Sequence, residues 1–212
     1  MKYIIGIDEA GRGPLAGPVS VGVFGAERRM EKWLLKNIFD NKLRDSKKLS
    51  PKKREEIYKK FCLLKKEGKI DFRVSHISNK IIDRKGISKS VQIGIKKSLG
   101  TFFKDYTDFH GRENLYNSKN FKIRLDGLLK APAKFKNQKT IIKGDEKDVF
   151  IACASIVAKV RRDRLMGRLG LKYPSYAFQI HKGYGTKLHH KLLQKHGLSP
   201  IHRRSFCKNL TK

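Results

Sequence analysis

Acidic residues are scarce in this chain: 19 Asp and Glu stand against 50 Lys and Arg over 212 residues, for a formal net charge of +31. So strong a deficit of negative charge excludes a cationic partner and points to a polyanion. Cysteine is rarer still. Cys62, Cys153 and Cys207 are widely spaced, odd in number and without a C-x-x-C pair, which argues against a disulfide framework or a zinc site and leaves three reduced thiols, Cys153 among the core. No apolar run approaches the roughly 18 residues of a membrane span, and the apolar start at 3–7 is too short for the hydrophobic part of a secretory signal. A cytoplasmic protein with no membrane partner is expected. Internal repeats and low-complexity linkers are absent, and nothing in the sequence asks for an oligomer, so a monomer is expected. With 39% hydrophobic residues the chain has the means for a sizeable core.

What is present alternates. Residues 2–7 and 19–24 read as strands joined by a connection holding three glycines and two prolines, a hairpin-like pair. Residues 27–39 and 51–64 carry apolar side chains at helical spacing, with Ser50 a suitable N-cap and Pro51 a suitable first helical residue. A third strand is expected over 69–77, an amphipathic helix over 87–103, a loop over 106–120, and strands over 121–125 and 138–142. The Ala- and Val-rich stretch 149–169 should be the most buried helix. The tail after 172 holds a Tyr/Pro/Gly-rich loop and a short basic helix over 187–196, where His189, His190 and His196 read as a basic face. This order predicts an α/β domain with a mixed sheet and helices packed on it.

Most acids lie among lysines on solvated helix faces, but four do not. Asp8 and Glu9 follow the first apolar strand, Asp126 ends the strand 121–125, and Asp145 follows the strand 138–142. Strand ends are where α/β sheets build their sites. Buried carboxylates need compensation, and oxygen donors suit a hard cation, Mg²⁺ or Mn²⁺. On a basic surface such a set matches two-metal phosphodiester hydrolysis. A single Asp at a strand end is more often a turn former, and Asp145 could simply cap the next helix. Asp163 reads as an ion-pair partner of Lys159, one turn back on its helix.

The words around these acids carry a resemblance. IDEAGRGPLAGPV at 7–19, DSKKLS at 45–50, LDG at 125–127, KGD at 143–145, SIVAKVRRDRLM at 155–166, HKGYG at 181–185 and HRRSF at 202–206 succeed one another as in type 2 ribonucleases H. The chain resembles ribonuclease HII of the bacterial kind over most of its length. The resemblance implies a ribonuclease H-like mixed five-stranded sheet flanked by helices over 1–170, with a C-terminal helical extension over 171–212. It also implies an endonuclease that hydrolyses the RNA strand of RNA/DNA hybrids. Such an enzyme would also incise on the 5′ side of single ribonucleotides in duplex DNA, leaving a 3′-hydroxyl and a 5′-phosphate. Asp8, Glu9, Asp126 and Asp145 would hold two Mg²⁺ or Mn²⁺ ions. Gly11, Arg12 and Gly13, with Tyr184, would clamp the ribose and sense its 2′-hydroxyl. Leu128 and Cys153 depart from residues common in the family, and neither replaces an acid.

Arg44, Ser46, Lys47, Lys48, Lys143, Lys182, Arg203 and Arg204 are candidates for contacts to backbone phosphates, which position a duplex and make affinity fall with salt. No clear sliding-clamp peptide of the Gln-x-x-hydrophobic-x-x-aromatic-aromatic type stands at the terminus. Two other readings remain open. One is a non-catalytic nucleic-acid-binding protein, which would gain nothing from carboxylates facing phosphate. The other is a transposase- or resolvase-like nuclease acting on all-DNA substrates, which would not need the ribose-reading glycine loops.

Overall fold

The computed structural model describes residues 3–43, 49–110 and 120–208. The first strand, β1 (Tyr3–Ala10), pairs antiparallel with β2 (Val19–Glu27), which pairs antiparallel with β3 (Ile70–Ile77). On its other side β1 runs parallel to β4 (Phe121–Asp126), and β4 runs parallel to β5 (Gln138–Ile141). The result is the expected mixed five-stranded sheet, in the order β3-β2-β1-β4-β5.

Helices cover both faces. Alternate residues of β1, such as Ile5 and Ile7, pack with Val91, Ile95 and Leu99 of α4 (Ile87–His110) on one side. The opposite face holds Ile4 and Phe24 against α1 (Met30–Phe39), α2 (Pro51–Lys66) and α6 (Val149–Lys172). As expected, Ser50 caps α2, accepting from the Lys53 amide at 3.2 Å, with Pro51 at the first position. α6 is held unusually close to the sheet. A Cβ on Gly6 would lie 2.1 Å from the Phe150 carbonyl oxygen, and one on Gly22 would lie 2.5 Å from that of Ala154. Two strand positions without side chains thus let the helix backbone rest on β1 and β2. Cys153 is fully buried there.

Three differences from the sequence reading stand out. α4 continues to His110, past the expected end at 103, so the first residues of the expected 106–120 loop are helical; 111–119 lie outside the described residues. A short helix, α3 (Asn79–Lys85), follows β3, too brief for a helical period to show. The α6 N-cap is Asp148, whose Oδ1 accepts from the amides of Phe150 and Ile151, while Asp145 sits in the separate one-turn α5 (Gly144–Lys147). Beyond α6, α7 (Phe178–His181) and α8 (Lys187–His196) pack around a small cluster of Ala16, Met166, Tyr176 and Phe178. The boundary expected at 170 falls inside the last turn of α6.

Candidate active site

The parallel pairing of β1 with β4 ends at Ile7 and Leu125, so Asp8, still within β1, and Asp126, the last residue of β4, come next on adjacent strands. Both point to the α6 face, by strand alternation from Ile4 and Arg124. Ser155 and Lys159 lie beside Asp8, and both favour its charged form. Lys159 Nζ in turn donates to Ser155 Oγ at 2.7 Å. On the far side, Asp126 Oδ1 accepts from the Gly144 amide at 2.6 Å, which places the next residue, buried Asp145, beside the same sheet end. The register brings Asp8 and Glu9 beside Asp126, and the Gly144 bond places Asp145 one residue beyond that contact.

The electrostatics are those of crowded acids. Burial first, then the neighbouring Glu9 carboxylate and Asp126, push the Asp8 carboxyl up to about 7, against the opposing pull of Ser155 and Lys159. Glu9 is also raised by burial and by Asp126, with Arg12 working the other way from 3.2 Å. Glu9 Oε2 is buried and has no hydrogen-bond partner. An unpartnered buried carboxylate oxygen beside two further acids fits a cation, since the alternative is an uncompensated desolvation cost. Among the described residues no three of His, Cys, Asp and Glu stand close enough to enclose an ion by themselves. A set of oxygen donors along an edge suits Mg²⁺ or Mn²⁺, whose remaining positions go to water and phosphate oxygens.

Next to the acids, the 11–18 loop is held from beneath by two buried arginines. Arg203 donates to the carbonyls of Gly11 at 2.6 Å, Arg12 at 2.8 Å and Gly17 at 2.9 Å. Arg162 donates to Pro18 at 3.0 Å and Ala16 at 3.3 Å. Gly11 has φ +89°, and a Cβ there would sit 2.0 Å from the Arg162 side chain. The loop is also tied to the HKGYG turn: the amide of Leu15 donates to the Gly183 carbonyl at 2.8 Å. Tyr184 is therefore delivered to the loop, half-exposed, with the Arg162 guanidinium 5.6 Å from its ring centroid. A groove of about 570 Å³ runs from Ala10 and Tyr184 along α6 to the start of α2, lined by Arg54, Lys159, Arg164 and Lys182 among others.

The basic candidates divide. Arg12, Lys143 and Arg204 are exposed, and Lys182 is partly so, its Nζ donating to the Gln179 carbonyl. Arg203 is fully buried and its guanidinium is occupied by carbonyls, so it shapes the loop instead of meeting a phosphate; burial and the charge of Arg162 lower it to about 9. Arg44, Ser46, Lys47 and Lys48 lie outside the described residues. His189 is no part of a basic face: it is fully buried. Asp163 pairs with Arg54 at 3.6 Å, while Lys159 turns the other way, toward Ser155 and the acids. The sequence assigns Ser155, Lys159 and Arg162 no part in the site, and pairs Lys159 with Asp163 instead. Their one signal is the SIVAKVRRDRLM word itself, where Ser155 and Lys159 lie one turn apart on a helix that must pass the acids.

A model of the Ribonuclease HII family matches residues 5–209. The chain belongs to the ribonuclease HII family. Relatives agree: it is 43% identical over 209 residues to ribonuclease HII of Caldicellulosiruptor bescii, covering 99% of this chain and 88% of that one. With ribonuclease HII of Clostridioides difficile it is 39% identical over 212 residues, 98% of this chain and 71% of the other. Among solved structures, ribonuclease H2 from Pyrococcus horikoshii superposes with TM-score 0.66 at 23% identity, covering 99% of this chain and 97% of that one. Bst-RNase HIII, solved in complex with Mn²⁺, superposes with TM-score 0.67 at 18% identity over 92% of this chain and 63% of its own. As a ribonuclease HII-family chain it is an endoribonuclease with the ribonuclease H type of mixed sheet.

Proposed function

We propose that the protein cleaves the RNA strand of RNA/DNA hybrids and incises on the 5′ side of single ribonucleotides in duplex DNA, leaving 3′-hydroxyl and 5′-phosphate ends. Asp8, Glu9, Asp126 and Asp145 would hold Mg²⁺ or Mn²⁺, supplying neutralisation of the scissile phosphate and activation of water. The observation that carries this reading is the placement of Asp8 beside Asp126 with Glu9 Oε2 buried and unpartnered. A protein that only bound nucleic acid would be weakened by such a set, because unneutralised carboxylates repel phosphate.

The remaining groups have definable work. Ser155 and Lys159, bonded to each other beside Asp8, favour its charged form, and Arg12 pairs with Glu9. With the carbonyls of Gly11 and Arg12 turned inward to Arg203, the amides of the Gly11-Arg12-Gly13 segment are the groups to meet a 2′-hydroxyl. Tyr184, across the loop, offers a ring to the sugar. Lys143, Lys182 and Arg204 would take phosphates along the duplex.

Metal dependence and binding test the reading together. Cleavage of a ribonucleotide-containing duplex should require Mg²⁺ or Mn²⁺ and vanish in EDTA, and Asp126→Asn should keep duplex binding while losing turnover. Cleavage that persists in EDTA, or binding lost with the fold intact, contradicts it.

A further inference from the structure

Three buried histidines lie behind Tyr184, and the hydrogen bonds around them allow one arrangement of protons. His202 Nδ1 accepts from the Ser199 amide at 2.8 Å, so its proton is on Nε2. His202 Nε2 therefore donates across 2.9 Å to His189 Nε2, and the proton of His189 must be on Nδ1, which donates to the Tyr184 carbonyl at 2.9 Å. The same carbonyl accepts from the Thr186 amide at 2.8 Å. His181 stacks on His189 with ring centroids 4.1 Å apart, its Nδ1 accepting from the Gly183 amide and its Nε2 donating to the Tyr176 carbonyl. The backbone of His202 also forms a bridge with Ala16 of the 11–18 loop. The chain Ser199–His202–His189–Tyr184 thus spans from the segment that touches the loop to the residue that faces it.

We propose that His189 and His202 are positioning residues for ribonucleotide selection: their single-direction hydrogen-bond chain fixes the Tyr184 backbone, and with it the distance between the tyrosine ring and the Gly11-Arg12-Gly13 segment. The inference rests on the reading of Tyr184 as the sugar-contacting ring. Packing alone does not account for the geometry, because an apolar side chain of similar size would fill the same space without supplying a directed donor to the Tyr184 carbonyl. The effect should fall on single ribonucleotides in DNA, where one ribose carries all the recognition. Long hybrids offer a ribose at every step of one strand and should feel it less.

Side-chain length separates this role from a structural one. Asn at 189 places an amide donor near the Nδ1 position and keeps the bond to Tyr184, whereas Gln places its amide near Nε2 and keeps only the contact to His202. Both variants are assayed with Mg²⁺ on a duplex bearing one ribonucleotide and on a long RNA/DNA hybrid, with melting temperatures measured alongside. His189→Asn should keep kcat/KM on the single ribonucleotide within about threefold and His189→Gln should lose about tenfold, the worth of one directed hydrogen bond, while the two melt alike. Equal behaviour of the two variants, the reverse order, or a loss that tracks melting temperature on both substrates overturns the proposal. If the 189 variants do not fold, His202→Gln, which keeps the Nε2 donor, against His202→Asn, which does not, gives the same comparison: Gln retains and Asn loses, and any other result overturns it. Tyr184→Ala run in parallel tells the two failures apart. An unchanged rate there removes Tyr184 from the site and the proposal with it, whereas a loss there with indistinguishable histidine variants overturns the histidine chain alone.

Discussion

Arg203 Nη2 donates to the carbonyl of Gly11 at 2.6 Å, joining residues 192 apart in sequence. The bond ties the HRRSF segment at the end of the fold to the loop that follows Asp8 and Glu9. Because Arg203 and Arg162 are both buried and both spend their donors on loop carbonyls, the loop conformation depends on two cations that no residue within it supplies.

Replacing Arg203 by Met should therefore destabilise the protein by about 3 kcal/mol, the cost of leaving several buried carbonyls without donors. Denaturant unfolding measures it. A change below about 0.5 kcal/mol, the scale of an ordinary surface substitution, would mean the loop holds its shape without the arginine.

The acids predict an exchange of stability for activity. Asn at position 8 resembles the protonated carboxyl that burial and Glu9 favour. Asp8→Asn should raise the melting point of the metal-free protein at pH 8, by about 1–3 kcal/mol in stability, and abolish cleavage. Added Mg²⁺ should stabilise the original protein more than the variant. A variant no more stable than the original in EDTA would contradict the electrostatic account of the site.

Much of this was legible in the sequence and some was not, for definite reasons. The acids could be found because apolar strands that end in carboxylates are costly without a cation, and the register then put Asp8 and Asp126 on neighbouring strands. Arg203 could not be placed in the same way. In a chain of net charge +31 a basic residue in the tail looks like a phosphate contact, and its burial follows only from a long-range bridge between Ala16 and His202. His189 belongs to the same case. Beside His190 in a polar helix it reads as surface, yet α8 turns it onto Phe178 and His202. For Lys159 the spacing to Asp163 was right for a pair, but the negative edge at Asp8 draws it in the opposite direction along α6.

Gly11 and Gly13, two of the three glycines in the 11–18 loop, should respond differently. Gly11→Ala forces a side chain into a left-handed conformation and against Arg162, whereas a Cβ at Gly13 meets nothing within 4 Å. Gly11→Ala should lower stability by about 1–3 kcal/mol and impair cleavage, and Gly13→Ala should leave the melting temperature unchanged. Equal melting temperatures for the two would contradict the packing of Arg162 under the loop.

Acid should unfold the protein partly through its histidines. Burial lowers His76, His189 and His202 to about 4, against an ordinary value near 6.5. The unfolded chain then binds more protons than the folded one between those values, so this stability is present above about pH 6.5 and is lost as pH falls toward 4. Melting temperatures from pH 7 to 4.5 should fall less steeply for His189→Asn than for the original protein. Parallel curves would mean that His189 takes up its proton alike in the folded and unfolded chains.

One short segment, Asp8 to Gly13, would carry two of the four metal-holding acids and part of the ribose test. Three labelled duplexes in Mg²⁺ or Mn²⁺ examine it most directly: DNA with one ribonucleotide, an RNA/DNA hybrid, and all-DNA. A single cut on the 5′ side of the ribonucleotide, cleavage along the RNA strand of the hybrid and an intact all-DNA duplex are expected. Cleavage of the all-DNA duplex, or of none of the three in either metal, would contradict it.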